Sequence, residues 1–470
     1  MVDKIFKANP KDMREAVAAA LRVINPKASL DILATLKLTP SQSKDTIHLT
    51  ATDLDKSIFT SFKAEVFSDH AITIPAKKLA EILAVWKDES ITLSHDNDDG
   101  ITHLSGITEE KMRLITLPVL DFPSEQVLNL FDTPLTLSIE AETFIKAFKQ
   151  VEYAASADIA RPVLTGVHLT IGSDYLRMET ADGYRLNQVQ IDLPADENRP
   201  KIDAVIPVKA LAIIVSQNKD KEPFQFSFGE TGLEISWKNM RYVIRNLEGN
   251  YPNTAAIIPK ESTTGFMTSI NSLYWKLRKA RVMANDITHI VILRFNHEQK
   301  MLSIEANNGE GSEFYTSSIS ATALHEAQDI LTAYNIEFLL DMLASCDPLD
   351  NIFFHMTKQT DPLKVTTSDK NFMALIMPMH IPDEKPPQSS PVEGQVSQEG
   401  AENSIEEAVQ DDDTKVETAK PQSTSEERIA QIMDLYSQDY GVQEIATQLN
   451  LSAQFVRTVL REHVSVVAAE

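Results

Sequence analysis

The stretch ATDLD at Ala51–Asp55 decides the fold, because it recurs twice further along the chain. It returns as ADGYR at Ala181–Arg185 and, more loosely, as ANNGE at Ala306–Glu310. The steps between the central acidic or amide residues of the three copies are 129 and 126 residues. A period of this length is too long for a solenoid unit and is typical of a whole domain.

Two further markers keep nearly the same spacing. The sequence IPAKKL at Ile74–Leu79 recurs as IPVKAL at Ile206–Leu211, and a weaker copy, YNIEFL, lies at Tyr334–Leu339. The tripeptide at 121–123 (DFP) recurs as NYP at 250–252, again 129 residues later. Three markers with one step predict three domains of one design, laid in a row as an arc.

Each repeat shows the same order of patterns, in which a helix comes first. Asn9-Pro10 predicts a capped first helix, and later helices are expected at 141–156 and 272–284, the last with Leu273, Leu277 and Val282 inward. Alternating strands follow, and a second helix begins at the Ile-Pro marker. Two helices and six to eight strands per repeat predict an α+β fold. The predicted domains are residues 1–130, 131–262 and 263–382.

Composition limits the function classes. The 470 residues carry a net charge of −24, which argues against a protein that wraps nucleic acid around its whole exterior. The single cysteine, Cys346, excludes a disulfide framework and a multi-cysteine metal site, and its apolar setting predicts a buried, inert thiol. Neither a bilayer-spanning stretch nor a signal peptide is evident, so a cytoplasmic protein is expected.

The last part of the chain has a different composition. Residues 383–425 hold eleven acidic residues against three lysines and almost no large apolar side chain, which predicts a flexible acidic linker. Helical spacing of apolar residues returns at 426–463, where Ser452 is a candidate N-cap. This pattern predicts a small all-α helix-turn-helix module.

In their order and spacing, the repeat motifs resemble those of a known family. The fragments that carry the resemblance are Thr52-Asp53-Leu54, Ile74-Pro75-Ala76-Lys77-Lys78, Leu117-Pro118, Phe122-Pro123, Ala181–Leu186, Tyr251-Pro252 and Ile376–Met379. The family is the bacterial β sliding clamp, the DNA polymerase III beta subunit, and the likeness covers about residues 1–382. It implies a head-to-tail homodimer whose six domains form a ring around double-stranded DNA, with no catalytic residues, no metal and no cofactor.

The resemblance also implies two kinds of site. Basic residues on the helices should line a channel that holds DNA phosphates without reading sequence. The candidates are Lys27, Lys77, Lys78, Lys149, Lys209, Lys276, Lys279 and Arg281. A hydrophobic cleft should capture short peptides of replicative polymerase, clamp loader and other partners. Its candidates are Leu164, Ala181, Gly183, Tyr184, Arg185, Leu186, Pro252, Ile257, Ile376, Met377, Pro378 and Met379.

The tail leaves more than one reading open. Its recognition helix would carry Ser452, Gln454, Arg457, Thr458 and Arg461, for contact either with DNA or with another protein. The segment Gln431–Tyr436 also resembles a clamp-binding peptide that could compete for the cleft of its own ring, although helical spacing already explains its apolar residues. Two rival functions remain for the whole chain: a DNA-binding regulator with the helix-turn-helix as its working part, and an enzyme whose site shows no recognised motif.

Overall fold

The computed structural model describes residues 2–25, 28, 30–96, 101–107, 111–116, 135–309, 313–324, 328–381, 431–436, 442–449, 451, 456, 459 and 460. The predicted linker at 383–425 lies outside these residues. The chain forms two compact units. Unit 1 holds Met1–Gly265, Asp341–Cys346 and Ile352–Met377, and unit 2 holds Phe266–Leu340, Asp347–Asn351 and Pro378–Glu470.

The first repeat begins with a strand, whereas the sequence patterns predict that a helix comes first; the capped helix that follows the strand is as predicted. The Asn9 side chain accepts a hydrogen bond from Lys11 N at 2.9 Å, and Pro10 occupies the first turn, where its missing N–H has no intrahelical partner. The elements are β1 Val2–Ala8, α1 Pro10–Leu21, β2 Thr35–Ser41, β3 Thr46–Thr52, β4 Lys56–Val66, β5 Ile72–Pro75, α2 Ala76–Val85, β6 Ile91–Asp96, β7 Ile101–Ser105 and β8 Lys111–Ile115.

The second repeat has the same order of elements. Its opening helix ends at Val151, earlier than predicted, and a short 3-10 turn continues to Ala154. The elements are β9 Leu135–Ile139, α3 Ala141–Val151, β10 Gly166–Ile171, β11 Tyr175–Ala181, β12 Arg185–Asp192, β13 Ile202–Pro207, α4 Val208–Gln217, β14 Phe224–Phe228, β15 Gly232–Trp237 and β16 Met240–Arg245.

The third repeat repeats the pattern, and one predicted core residue is wrong. Leu273 and Leu277 are fully buried, but Val282 is 76% exposed, because Ala280 and Ala284 continue the buried face. The elements are β17 Thr264–Ser269, α5 Ile270–Met283, β18 Ile290–Asn296, β19 Met301–Asn307, β20 Phe314–Ser320, β21 Thr322–Ala323, β22 Ile330–Asn335, α6 Ile336–Ala344, β23 Asn351–Met356, β24 Leu363–Thr367 and β25 Phe372–Ile376. Helix α7, Val442–Gln448, lies in the tail.

The sheets of unit 1 join strands from different repeats. One sheet has the order β8-β7-β6-β1-β4-β16-β15-β14-β9, with β2, β3 and β5 attached, so that β4 of the first repeat pairs with β16 of the second. Another contains β13-β10-β11-β12-β25-β24-β23, in which β12 of the second repeat pairs with β25 of the third. In unit 2, β20-β19-β18-β22 form a sheet. The three-domain arrangement is therefore built on a shared pattern of antiparallel strands.

The first sequence marker is a hairpin turn that the three repeats share. The backbone N–H of the central acidic or amide residue donates across each turn, Asp53 to Lys56 O at 3.1 Å, Asp182 to Arg185 O at 3.3 Å and Asn308 to Glu313 O at 3.2 Å. The next residue in each copy has a positive φ, +80° at Leu54, +99° at Gly183 and +87° at Gly309. The three copies therefore share one left-handed residue, a conformation that glycine adopts without strain, although the hydrogen bond of the third copy joins residues five apart and those of the first two join residues three apart.

The second marker starts the second helix of each repeat. Helices α2, α4 and α6 begin at its third residue, and Leu79, Leu211 and Leu339 are all fully buried. Pro75 occupies the N-cap position of α2, and Pro207 occupies that of α4. In the weaker third copy the Asn335 side chain accepts from Glu337 N at 2.9 Å, so a different residue satisfies the same helix end.

Candidate peptide-binding cleft and basic helix faces

The turn between β11 and β12 presents an exposed aromatic ring. Asp182 Oδ1 accepts hydrogen bonds from Tyr184 N at 2.8 Å and from Arg185 N at 3.0 Å, which fixes the turn. The Tyr184 side chain is 66% exposed. Gly183 has a positive φ, which glycine adopts without strain. A Cβ at this position would also lie only 3.3 Å from Arg161 Nη1, a close contact that glycine avoids.

Strand β25 brings the C-terminal candidates beside this turn. Arg185 pairs in register with Ile376, and Met377 N donates to Tyr184 O at 2.9 Å. Met377 is 40% exposed, whereas Ile376 is buried. Residues almost two hundred positions apart in sequence thus form one rim, of which Tyr184 and Met377 are the exposed members.

Buried apolar residues form the floor under this rim. Ala181, Leu186 and Leu375 make one cluster, and Ile258 and Met373 pack against it. Ile257, next to Ile258, is 51% exposed, and Pro252 is exposed on the same loop. Leu164 is buried in the 3-10 turn Pro162–Thr165, which follows Arg161. This arrangement offers apolar surface to a ligand, with Met377 as an adaptable side chain.

The last two candidates of the cleft belong to unit 2. Met379 N donates to Ala333 O of β22 at 2.8 Å, and these two residues form an isolated antiparallel β-bridge. Both Pro378 and Met379 are partly exposed. The predicted set is therefore divided between the two units, with ten of its members in unit 1.

Arg185 has a supporting role that its place in the motif does not reveal. Its Nε donates to Asp182 Oδ2 at 2.9 Å, Nη1 to Asp341 Oδ2 at 2.7 Å and Nη2 to Tyr153 O at 2.7 Å. The side chain is only 12% exposed. The guanidinium therefore ties the turn to the end of α3 and to Asp341, and the predicted contact with a peptide is less suited to it than to Tyr184.

Sequence reasoning missed several residues of this region. Leu375 and Ile258 complete the apolar floor, and Tyr153 and Asp341 hold Arg185. The continuous apolar run Phe372–Ile376 is typical of a strand buried on both faces and could have identified Leu375. No local signal marks Asp341, because its partner is 156 residues away.

The predicted channel residues lie on helices. Lys77 and Lys78 are exposed on α2, Lys149 on α3, Lys209 on α4 and Lys279 on α5, whereas Lys276 on α5 is half-buried. Lys27 lies outside the described residues. Since the buried faces of these helices hold apolar residues such as Leu79, Phe148 and Leu277, the lysines occupy the solvent-facing sides.

Two of the basic residues have acidic partners. Lys78 Nζ lies 3.3 Å from Glu81 Oε2, in a pair that is largely exposed. Arg281 forms an ion pair with Glu337 of α6 and lies 3.5 Å from Asp286, and the hydrogen bond to Glu337 raises the pKa of Arg281. Both acidic residues of α6 are thus paired with arginines, Glu337 with Arg281 and Asp341 with Arg185.

The described parts of the tail contain helices with a common apolar cluster. Residues 431–436 are helical, and Ile432 is fully buried in a cluster with Ile445, Val456 and Leu460. The predicted recognition residues Ser452, Gln454, Arg457, Thr458 and Arg461 lie outside the described residues. Burial of Ile432 inside this cluster disfavours Gln431–Tyr436 as a free clamp-binding peptide.

In the described residues, no three His, Cys, Asp or Glu side chains converge as metal ligands would. None of the helices in the described part of the chain is long and apolar enough to cross a membrane. Cys346 is a buried thiol outside any disulfide, and its Sγ donates to Met342 O at 3.3 Å.

Three family models match successive parts of the chain. They describe the N-terminal, central and C-terminal domains of the DNA polymerase III beta subunit and match residues 5–127, 138–253 and 255–380, respectively. Among curated relatives, the beta sliding clamp of Synechocystis is 27% identical over 391 residues, covering 79% of this chain and 97% of the relative. The beta sliding clamp of Synechococcus elongatus is 25% identical over 379 residues, with the same coverage.

Solved structures have the same fold. The DNA polymerase sliding clamp of Bacillus subtilis matches with a TM-score of 0.75 and 21% identity, covering 81% of this chain and 100% of that one. The sliding clamp of Pseudomonas aeruginosa bound to griselimycin matches with a TM-score of 0.73 and 18% identity, at the same coverage. The three repeats, their common turn and these matches together show that the chain belongs to the family of the DNA polymerase III beta subunit, the bacterial beta sliding clamps.

Proposed function

We propose that this chain is a DNA sliding clamp, a processivity factor that encircles duplex DNA as a head-to-tail dimer. It tethers the replicative polymerase and other partners, including the clamp loader, through the cleft around Tyr184 and Met377. The observation that carries the proposal is the threefold recurrence of one domain over residues 5–380. Such a protein works on replicating DNA and needs no catalytic residue of its own.

The charge distribution supports a DNA-holding channel. The chain as a whole is acidic, with a net charge of −24, yet exposed lysines lie on α2, α3, α4 and α5. Phosphates attract such side chains without sequence preference, and contacts of this kind are weakened by salt. An acidic exterior with lysines at the bore would retain DNA loosely, which is what sliding requires.

Two sheet edges support ring closure between copies. In the described residues β8 pairs only with β7, and β20 pairs only with β19. Exposed apolar side chains accompany them, Ile115 and Ile107 near the first edge and Phe314 on the second. A free strand with exposed apolar residues is prone to pair with another chain, and a closed head-to-tail ring would satisfy both edges.

The tail is proposed to be a helix-turn-helix module on an acidic linker. Support comes from the common cluster of Ile432, Ile445 and Val456, which gives helices in this region one apolar core. The module has more acidic than basic residues, so its own affinity for DNA would be weak. Whether its recognition residues contact DNA or protein is decided by comparing DNA binding of the full chain with that of the Arg457→Ala/Arg461→Ala variant.

Primer extension on a long single-stranded circle tests the clamp proposal. With a polymerase and clamp loader from the same source, the chain should lengthen the products made in one binding event. The Tyr184→Ala/Met377→Ala variant should form the same dimer in sedimentation and still fail to lengthen them. Products of equal length with and without the wild-type chain would contradict the proposed function.

A further inference from the structure

The apolar cluster of the tail does not end within the tail. The C-terminal module, meaning the described residues from Gln431 to Leu460, packs its buried side chains together with the partly buried Leu349. Leu349 belongs to the segment Asp347–Asn351, between α6 and β23 of the third repeat. The module and this segment both lie in unit 2. Through Leu349, the module and the third repeat share one hydrophobic contact.

A cavity at the same place is lined by both bodies. Its volume is about 470 Å³. Tyr436 and Val442 line it from the module, and Met267, Met301, Ile319 and Leu349 line it from the third repeat. Apolar side chains on the two walls face a common space, so these residues mark the rim of an interface that extends beyond Leu349.

The environment of Tyr436 gives a third observation. Burial raises the pKa of the Tyr436 hydroxyl, and the carboxylate of Asp347 raises it further. Tyr436 is half-buried, although it belongs to a helix whose Gln431 is exposed. The ring is therefore close to the segment that carries Leu349, and it is shielded from water on that side.

We propose that the surface around Leu349, formed by Asp347–Asn351 and the adjoining ends of β19 and β20, is a docking site for the chain's own C-terminal module. The module binds through the face that carries Tyr436 and Val442. Docking converts a tethered tail into a fourth body fixed on the third repeat. This surface is additional to the cleft and to the helix faces of the proposed clamp, and the inference does not depend on that function.

The position of the docking site also separates it from the cleft. In the sheet β20-β19-β18-β22 the docked module adjoins β19 and β20, whereas Met379 bridges to Ala333 of β22 at the opposite edge. Among the described residues, the module therefore does not cover the part of the cleft that belongs to unit 2. A docked module leaves this part open to partner peptides.

Small-angle X-ray scattering of the full chain tests the docking. A flexible segment with the length of residues 382–430 has a root-mean-square span of about 40 Å. A released module should therefore increase the maximum dimension by some tens of ångströms. The wild-type chain should be compact, whereas Leu349→Asp and Tyr436→Asp should both give the extended profile. Gln431→Asp, an exposed position on the same helix, is the matched control and should keep the compact profile.

Each outcome decides the proposal. Leu349→Asp changes no residue of the module, and circular dichroism reports whether either body has unfolded. Release of a module that keeps its helical signal is then due to loss of docking. An extended wild-type profile that Leu349→Asp leaves unchanged would show that the module is only tethered. A compact profile in both variants would place the module elsewhere. Either result overturns the proposal.

Discussion

The first and second repeats are joined to their neighbours by the same backbone arrangement, yet at equivalent described positions the two junctions expose different side chains. At the first junction β4 pairs with β16, and Arg245 N donates to Asp55 O at 2.9 Å. At the second, β12 pairs with β25, and Met377 N donates to Tyr184 O at 2.9 Å. The hydrogen bond that closes each junction is the same.

The difference lies in the side chains that this backbone carries. Exposed Asp55 and Arg245 at the first junction correspond to exposed Tyr184 and Met377 at the second. Two charged side chains stay hydrated at the surface, whereas a tyrosine and a methionine offer apolar surface to a peptide. We propose that the repeated scaffold serves as a binding site at the second junction, where Tyr184 and Met377 are the exposed residues.

The largest expected effect follows from reversing this difference at the second junction. Met377→Asp should weaken binding of a fluorescent peptide from a clamp-binding partner by on the order of tenfold or more, because it places a charge in an apolar rim. Arg245→Asp, at the equivalent place in the first junction, should leave the affinity unchanged. Fluorescence anisotropy measures both. Equal losses in the two variants would refute the assignment of the cleft to the second junction.

The supporting residues of the two turns should differ in their effect on stability. Arg185→Ala removes hydrogen bonds to Asp182, Asp341 and Tyr153 O and should reduce the free energy of unfolding by about 2 kcal/mol. Lys56→Ala removes a pair with Asp53 alone and should cost less than about 1 kcal/mol. Urea unfolding followed by circular dichroism compares them. Equal losses would mean that the link to Asp341 contributes nothing.

Substitution of the turn residue with positive φ should change the stability of the fold differently in the two repeats. Gly183→Ala forces a Cβ into a backbone with φ of +99° and should destabilise the fold by about 1 kcal/mol. Leu54 already has a side chain at φ of +80°, so Leu54→Ala adds no such strain. Thermal unfolding of both variants tests this contrast. A melting temperature for Gly183→Ala at or above that of the wild-type chain would contradict it.

The smallest expected effect is the pH dependence that His168 of the second repeat causes. His168 stacks on Tyr251 at 4.5 Å, and its Nε2 and Nδ1 lie 2.9 Å from Asp203 Oδ1 and 3.9 Å from Glu179 Oε1. Burial opposes the charge of His168, but the two carboxylates outweigh it and raise the pKa of the imidazole. The resulting stability is fully present below the unfolded pKa and is lost as pH rises through the folded pKa.

The substitution His168→Gln measures how much the protonated imidazole contributes to the stability of the fold. The stability difference from the wild-type chain should be larger at about pH 5.5 than at about pH 8.5, because only the protonated ring attracts the carboxylates. Lys37 pairs with Thr73 at the register position that His168 holds opposite Val205. Lys37→Gln is therefore the control and should show no change with pH over that range. A pH-independent difference for His168→Gln would exclude the proposed charge effect.

How far the sequence could predict the molecule depends on the distance between partners. The cap at Asn9 and the starts of α2, α4 and α6 are confirmed, because neighbouring residues determine them. The link between Arg185 and Asp341 spans 156 residues, so no pattern along the chain could reveal it. Val282 was wrongly predicted to be buried. Several apolar residues follow Leu277 on α5, and the sequence does not decide which of them continue the buried face. Docking of the module on Leu349 had no sequence signal either.

The central claim is that this chain holds DNA by encircling it, and retention on two DNA topologies tests this most directly. The chain would be loaded by a clamp loader onto nicked circular DNA, and half of the sample would then be linearised. The bound fraction of each half would be measured by gel filtration at moderate salt, where contacts to phosphate are weakened. A topological ring stays on the circle and slides off the free ends. Equal retention on the two forms would show ordinary binding and contradict the account.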